Sequence, residues 1–136
     1  ISKSTKNQLK KLDYKFFVCD TNFKINLSDS EVRKFLESYT WLSKNEDSSK
    51  AKDILATLLS NEEAHIVSKY SQFFSKYKEG EINFLPNSRY EPYSTLYSNS
   101  HTPGWSNRIM LWASKNAVFT QNSYNRCESM ESESRY

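Results

Sequence analysis

Asp20 and Asn22 are the residues best placed by type and spacing to do chemistry in this chain. They follow Tyr14-Lys15-Phe16-Phe17-Val18, an aromatic and β-branched run that reads as a buried strand, and lie in the polar Cys19-Asp20-Thr21-Asn22 where that run stops. Polar side chains at the end of such a strand often form a site, and an ionised carboxylate there accepts a proton near neutral pH without a perturbed pKa. Asp and Asn are also ordinary turn formers at strand ends. Lys24, Arg89 and Arg108 could face an anion, as could His101 from a loop. Arg108 is equally readable as a structural partner of an acid such as Glu91 or Asp20. His65, near Glu62, reads as a surface helix residue.

Composition narrows the chemistry. Two glycines in 136 residues rule out a Gly-rich phosphate cradle. Cys19 and Cys127 have neither metal-ligand nor secreted-scaffold spacing, so both read as reduced thiols of an intracellular, cytoplasmic protein. Glu128 to Ser134 alternates Glu with Ser and lacks calcium or zinc spacing, so it reads as a solvated edge strand or tail. The net charge of +3, with dispersed lysines, supports weak anion attraction, and RNA of a larger particle is a partner that charge alone would allow. No apolar run approaches the roughly 20 residues of a membrane helix. A chain opening on Ile1 and not on Met is expected to continue an upstream part.

The elements that must position these residues follow from periodicity. Residues 1–11 suit a tail or short helix. Ser28-Asp29-Ser30-Glu31 has capping-box spacing before Val32, Phe35, Leu36, Tyr39 and Leu42, which fall on one helical face. Ile54, Leu55, Leu58 and Leu59 mark a second helix. Ser60-Asn61-Glu62-Glu63 offers another capping box, opening a third helix through Ile66, Val67 and Tyr70 toward Phe73 and Phe74. Ile82 to Leu85 alternates briefly until Pro86. Arg108 to Trp112 and Ala117 to Phe119 read as strands with a turn between them, and Trp105 and Trp112 as core aromatics.

Four stretches, in order, resemble landmarks of the inositol polyphosphate 5-phosphatases of the exonuclease-endonuclease-phosphatase superfamily. Phe17 to Ile25 is similar to aromatic-x-Gly-Asp-x-Asn-x-Arg-Ile, and Tyr77 to Pro86 to Phe-x-Glu-Gly-x-Ile-x-Phe-x-Pro. Asn87-Ser88-Arg89-Tyr90-Glu91 stands where the family has Thr-Tyr-Lys-Tyr-Asp. Pro103 to Trp112 keeps the frame of Pro-x-Trp-x-Asp-Arg-Ile-Leu. Ser132-Glu133-Ser134-Arg135 is a short match to the closing Ser-Asp-His-Arg.

The resemblance implies removal of a 5-phosphate from inositol phosphates or phosphoinositides with Mg²⁺. Asp20 would activate the water and Asn22 would hold the phosphate. The departures are Asn107 for the family's Asp, Lys24 for its Arg, Cys19 for its Gly, Ser134 for its catalytic His and Glu133 for the neighbouring Asp. The Tyr-Lys pair becomes Ser88-Arg89, and the later Lys-x-Arg falls in Leu96 to Thr102, which holds His101 but neither Lys nor Arg. That leaves one of the family's three ring-phosphate cations.

The expected architecture is α/β, part of a two-sheet sandwich with flanking helices and mainly antiparallel strands. Residues 1–136 would form the C-terminal half of a 5-phosphatase-like domain: 1–11 tail, 12–27 strand and Asp-x-Asn loop, 28–78 helical insert, 79–136 strands and signature loop. A half-sandwich exposes its inner face, which an upstream half or a protein partner would cover. The expected function is a degenerate, inactive module that binds or builds within an assembly, needs no cofactor and takes an inositol phosphate as its possible ligand. The alternative is an active enzyme with Mg²⁺, completed by an upstream half.

Overall fold

The computed structural model describes residues 12–45 and 47–127. In chain order they form β1 (Tyr14–Asp20), α1 (Asp29–Lys44), α2 (Ser48–Ser60), α3 (Glu63–Tyr70), a 3₁₀ turn (Phe74–Lys76), β2 (Lys78–Glu79) and β3 (Asn107–Ala113). The sheet order is β1-β3-β2, with β3 in the centre and antiparallel to both neighbours. This is the mixed helix and antiparallel-sheet architecture that the family resemblance implied.

Helix α1 starts as the capping box predicts. The Ser28 side chain accepts the Glu31 N–H, while the Glu31 carboxylate accepts from the Ser28 backbone. One face of α1 buries Val32 and Leu36, one face of α2 buries Leu55 and Leu58, and these meet Ile25, Ile82, Phe84 and Trp105 in the core. Trp105 is fully buried and its indole N–H donates to the Phe84 carbonyl at 3.0 Å. Trp112 is only half-buried, with the Lys15 ammonium 3.6 Å above its ring. Ile82 and Phe84 alternate inward without joining a ladder.

Two expected features are absent. Ser60 does not cap α3: it closes α2, and α3 opens on Glu62, whose side chain makes no cap bond. The reason is a tertiary pairing that draws Glu62 into an extended conformation beside residues 24–26. Ile25 bridges Glu62, Glu63 N–H donates to the Lys24 carbonyl at 2.9 Å, and Lys24 N–H donates to the Glu63 carboxylate at 2.8 Å. Residues 117–119 form no strand either, since β3 already pairs on both edges, and Val118 is 86% exposed.

Strand alternation splits β3 into two faces. Arg108 and Met110 point inward, where Phe17 of β1 packs edge-on against Phe73 and Phe74. Here lies the ion cluster that ties the molecule together. The Arg108 Nη1 donates to Glu62 Oε1 at 2.5 Å, and Nε and Nη2 donate to the two oxygens of Glu79 at 2.6 and 2.5 Å. Tyr124 adds a 2.6 Å bond to Glu79. Arg108 is 5% exposed and Glu62 2%. Burial disfavours the Arg108 charge, but the bonds and charges of Glu79 and Glu62 more than offset it and hold its pKa above the ordinary value.

Removing Arg108 would leave the buried Glu62 and the half-buried Glu79 without a counter-charge. Arg108→Ala is therefore expected to cost about 3 to 5 kcal/mol of unfolding free energy in a urea titration. Glu62→Gln should cost far less, because Arg108 keeps its two-point bond to Glu79. Burial pushes the Glu62 carboxyl above its ordinary 4.5, against the pull of Arg108. The folded chain thus holds that proton more tightly than the unfolded one, and stability falls as pH rises from 4.5 upward. Urea titrations across pH should show this slope flattened in Glu62→Gln.

Candidate anion-binding site

The register of β1 against β3 places Asp20 directly opposite Asn107. Both lie on the solvent side of the sheet at its polar end, on the face opposite Arg108. Just beyond, Thr21 N–H and Oγ1 both donate to the Ser106 carbonyl, at 2.7 and 3.0 Å, closing the strand exit. Asn22 then takes φ of 51°, a left-handed conformation that Asn tolerates better than most side chains, and its N–H donates to Asp20 Oδ1 at 2.8 Å. Arg89 Nη2 donates to Asn22 Oδ1 in a short contact. Arg89 itself sits at φ of 71°, costly for a long side chain and held by the Ser98 N–H on its carbonyl at 2.7 Å.

Asn107 is tied to a residue that sequence reasoning did not single out. Its N–H donates to Asn87 Oδ1 and its side-chain amide to the Asn87 carbonyl, each at 3.3 Å, while Asn87 Nδ2 returns a 2.7 Å bond to the Asn107 carbonyl. An ionised carboxylate could not donate that second bond. Beneath them Ser88 and Ser106, both buried, share a 3.0 Å hydroxyl bond.

Three of the four expected cations converge. Lys24, Arg89 and His101 line one cleft of about 250 Å³ with Phe23, Ile25, Ser100, Thr102, Pro103 and Gly104. His101 Nδ1 lies 2.9 Å from the Ser100 hydroxyl. Arg108 is the exception: its guanidinium is saturated by Glu62 and Glu79 on the other face, not by Glu91 or Asp20, so it has no reach toward this cleft. Glu133 and Ser134 lie outside the described residues.

Asp20 alone among Asp20, Asn22 and Asn107 carries a carboxylate, and the Asn22 oxygen is occupied by Arg89. Among the described residues no three His, Cys, Asp or Glu side chains gather as a metal site. Asp20 is thus the member of this trio that could ligate a Mg²⁺ ion, which is usually held by one or two carboxylates with waters completing its octahedron. Cys19 is a free thiol, and burial together with Asp20 pushes it up, so it stays protonated near neutral pH.

Residues 1–135 match the description endonuclease/exonuclease/phosphatase family 2. The chain belongs to that family. Among its relatives is type I inositol polyphosphate 5-phosphatase 2 of Arabidopsis thaliana, 31% identical over 124 residues, which span 85% of this chain and 17% of the relative. Human synaptojanin-2 is 28% identical over 106 residues, or 76% of this chain, and the chain spans 6% of its length. Of solved structures, the inositol polyphosphate 5-phosphatase domain of SPsynaptojanin, in complex with inositol (1,4)-bisphosphate and calcium ion, superposes with a TM-score of 0.60 at 20% identity, covering 76% of this chain and 27% of that one. The ferrous NO complex of Cimex nitrophorin superposes with a TM-score of 0.67 at 15% identity over 89% and 38% of the two chains. At these identities both structures report the shared fold. No described helix is long and apolar enough to cross a membrane.

The Asn87 bond gives a direct test of why an amide suits position 107. Asn107→Asp removes the donor facing the Asn87 carbonyl and sets a second carboxylate across the strand from Asp20. It should cost about 1 kcal/mol of stability at pH 7. Urea titrations of the two chains at pH 7 check the sign.

Proposed function

We propose that this chain is the anion-recognising part of a 5-phosphatase-like domain, one that binds an inositol phosphate without hydrolysing it. The observation that carries this reading is the Asp20–Asn107 cross-strand pair: one carboxylate stands where the family frame has two, and the amide that replaces the second is bonded on both sides to Asn87. Losing members of a catalytic set leaves binding and electrostatics, because such residues act as a unit. Binding has its own support. Lys24 and Arg89 bring fixed positive charge to the cleft, and Arg89 adds a planar fork suited to phosphate oxygens. His101 and the Ser100 hydroxyl supply shorter-range hydrogen bonds on the facing wall. The synaptojanin domain, solved with an inositol bisphosphate, makes that ligand class the natural one to try.

The same reading assigns a cover to the open sheet face. Phe16 and Val18 of β1 are 62% and 68% exposed, beside Ile109 of β3. Together with Tyr14 and Leu111 they make the apolar inner wall of a half-sandwich, to be covered by an upstream half of the domain or by a protein partner. The residues described here correspond to the C-terminal half. The rival reading, an active Mg²⁺-dependent phosphatase completed by that upstream half, draws on the exposed Asp20 carboxylate, which accepts one hydrogen bond from Asn22 and has room for a second.

Calorimetric titration with inositol 1,4,5-trisphosphate, followed by a phosphate-release assay with Mg²⁺, separates the two. The expected outcome is saturable, salt-sensitive binding, weakened about tenfold by Arg89→Ala, with no phosphate released. Turnover that disappears in Asp20→Ala would establish the enzyme reading instead.

A further inference from the structure

Arg33 lies on α1, in the helical insert, and pairs with Asp29 one turn earlier at 2.7 Å. By sequence this is an ordinary solvated i,i+4 pair. Its guanidinium does more than that. Nη2 donates to the Ser98 carbonyl at 2.7 Å and to the His101 carbonyl at 3.3 Å, 65 and 68 residues away. The Asp29 carboxylate also takes a hydrogen bond from the Thr102 side chain, and together these bonds hold it below its ordinary range. The first two turns of α1 thus grip both ends of the segment 98–102.

That segment forms one wall of the cationic cleft and is tied to the other. Ser98 is buried, its N–H donates to the Arg89 carbonyl at 2.7 Å, and its carbonyl receives Arg33. His101 is exposed and makes one side-chain bond, to Ser100. Its backbone position therefore depends on Arg33 more than on its own side chain. Only a forked cation can reach Asp29 through Nε and two backbone carbonyls through Nη2 at once; a lysine ammonium has no such spread.

We infer that Arg33 is a positioning residue for the anion cleft, holding His101 and, through Ser98, Arg89 at the spacing that lets both meet one ligand. The inference rests on the anion-binding reading given above. It gives the helical insert a task that the family resemblance does not supply: setting the cleft's affinity from outside it, without touching the ligand.

A double-mutant cycle on the affinity for inositol 1,4,5-trisphosphate tests it, using the full chain. His101→Ala should weaken binding about tenfold in the wild type and only about twofold when Arg33 is already Ala, since Arg33→Ala has by then displaced the imidazole. Lys24→Ala, on the opposite wall, should cost the same factor in both backgrounds. Arg33→Lys keeps the charge and the helix while losing the fork, and should behave like Arg33→Ala in the cycle, which guards against misfolding of the alanine variant. Additive losses of Arg33 and His101, in both the Ala and Lys backgrounds, would overturn the inference and leave the anion-binding reading intact. A wild-type chain that binds no inositol trisphosphate would overturn both.

Discussion

The rest of the structure depends on one buried guanidinium. Arg108 sits mid-sheet on β3 and holds Glu62 at the mouth of α3 and Glu79 on β2, so a strand, a helix start and an edge strand converge on a single charge. Burial, with a smaller push from the Glu79 charge, makes Glu62 keep its proton more readily than usual against the pull of Arg108. Such clusters contribute less to net stability than to choosing one arrangement, because desolvation consumes most of the Coulomb gain. Here the arrangement chosen fixes the extended Glu62 beside residues 24–26, and so the position of Lys24.

From that anchor the two faces of β3 acquire different roles. The inward face belongs to Arg108, Met110 and the Phe17–Phe73–Phe74 aromatic group. The outward face runs from an apolar wall of Phe16, Val18 and Ile109 to a polar end at Asp20 and Asn107. Strand alternation places neighbouring residues on opposite faces, so Asn107 and Arg108 share a motif in sequence and no environment in space. The motif keeps its fold through Arg108 and Trp105 while its solvent-facing member is free to change. A substitution at 107 can thus alter chemistry at little cost to the core.

Much of this was legible in the sequence. The capping box at Ser28, the apolar face of α1, the strand from Tyr14 and the strand through Ile109 to Trp112 all rest on local patterns, and all form. The convergence of Lys24, Arg89 and His101 was legible only through the family frame, since residues so far apart in sequence carry no local sign of meeting. What escaped was decided by tertiary pairing. Glu62 reads as the middle of a capping box because acids are seldom buried, and nothing local shows that Arg108 will claim it. Asn87 and Arg33 escaped for a related reason: both act on backbone carbonyls, which leave no trace in side-chain patterns. Residues 117–119 have strand composition, but β3, the neighbour a tight turn would return them to, is already paired on both sides.

The most direct measurement of the central claim is a nuclear magnetic resonance titration of the chain with inositol 1,4,5-trisphosphate in the presence of Mg²⁺, reading backbone amides and ligand phosphorus together. Binding without hydrolysis predicts amide shifts confined to residues 22–25, 89 and 98–104, with three ligand phosphorus signals that move as the site fills but keep their integrated intensities. Shifts elsewhere on the surface, or an inorganic phosphate signal growing at the expense of the ligand, would contradict it.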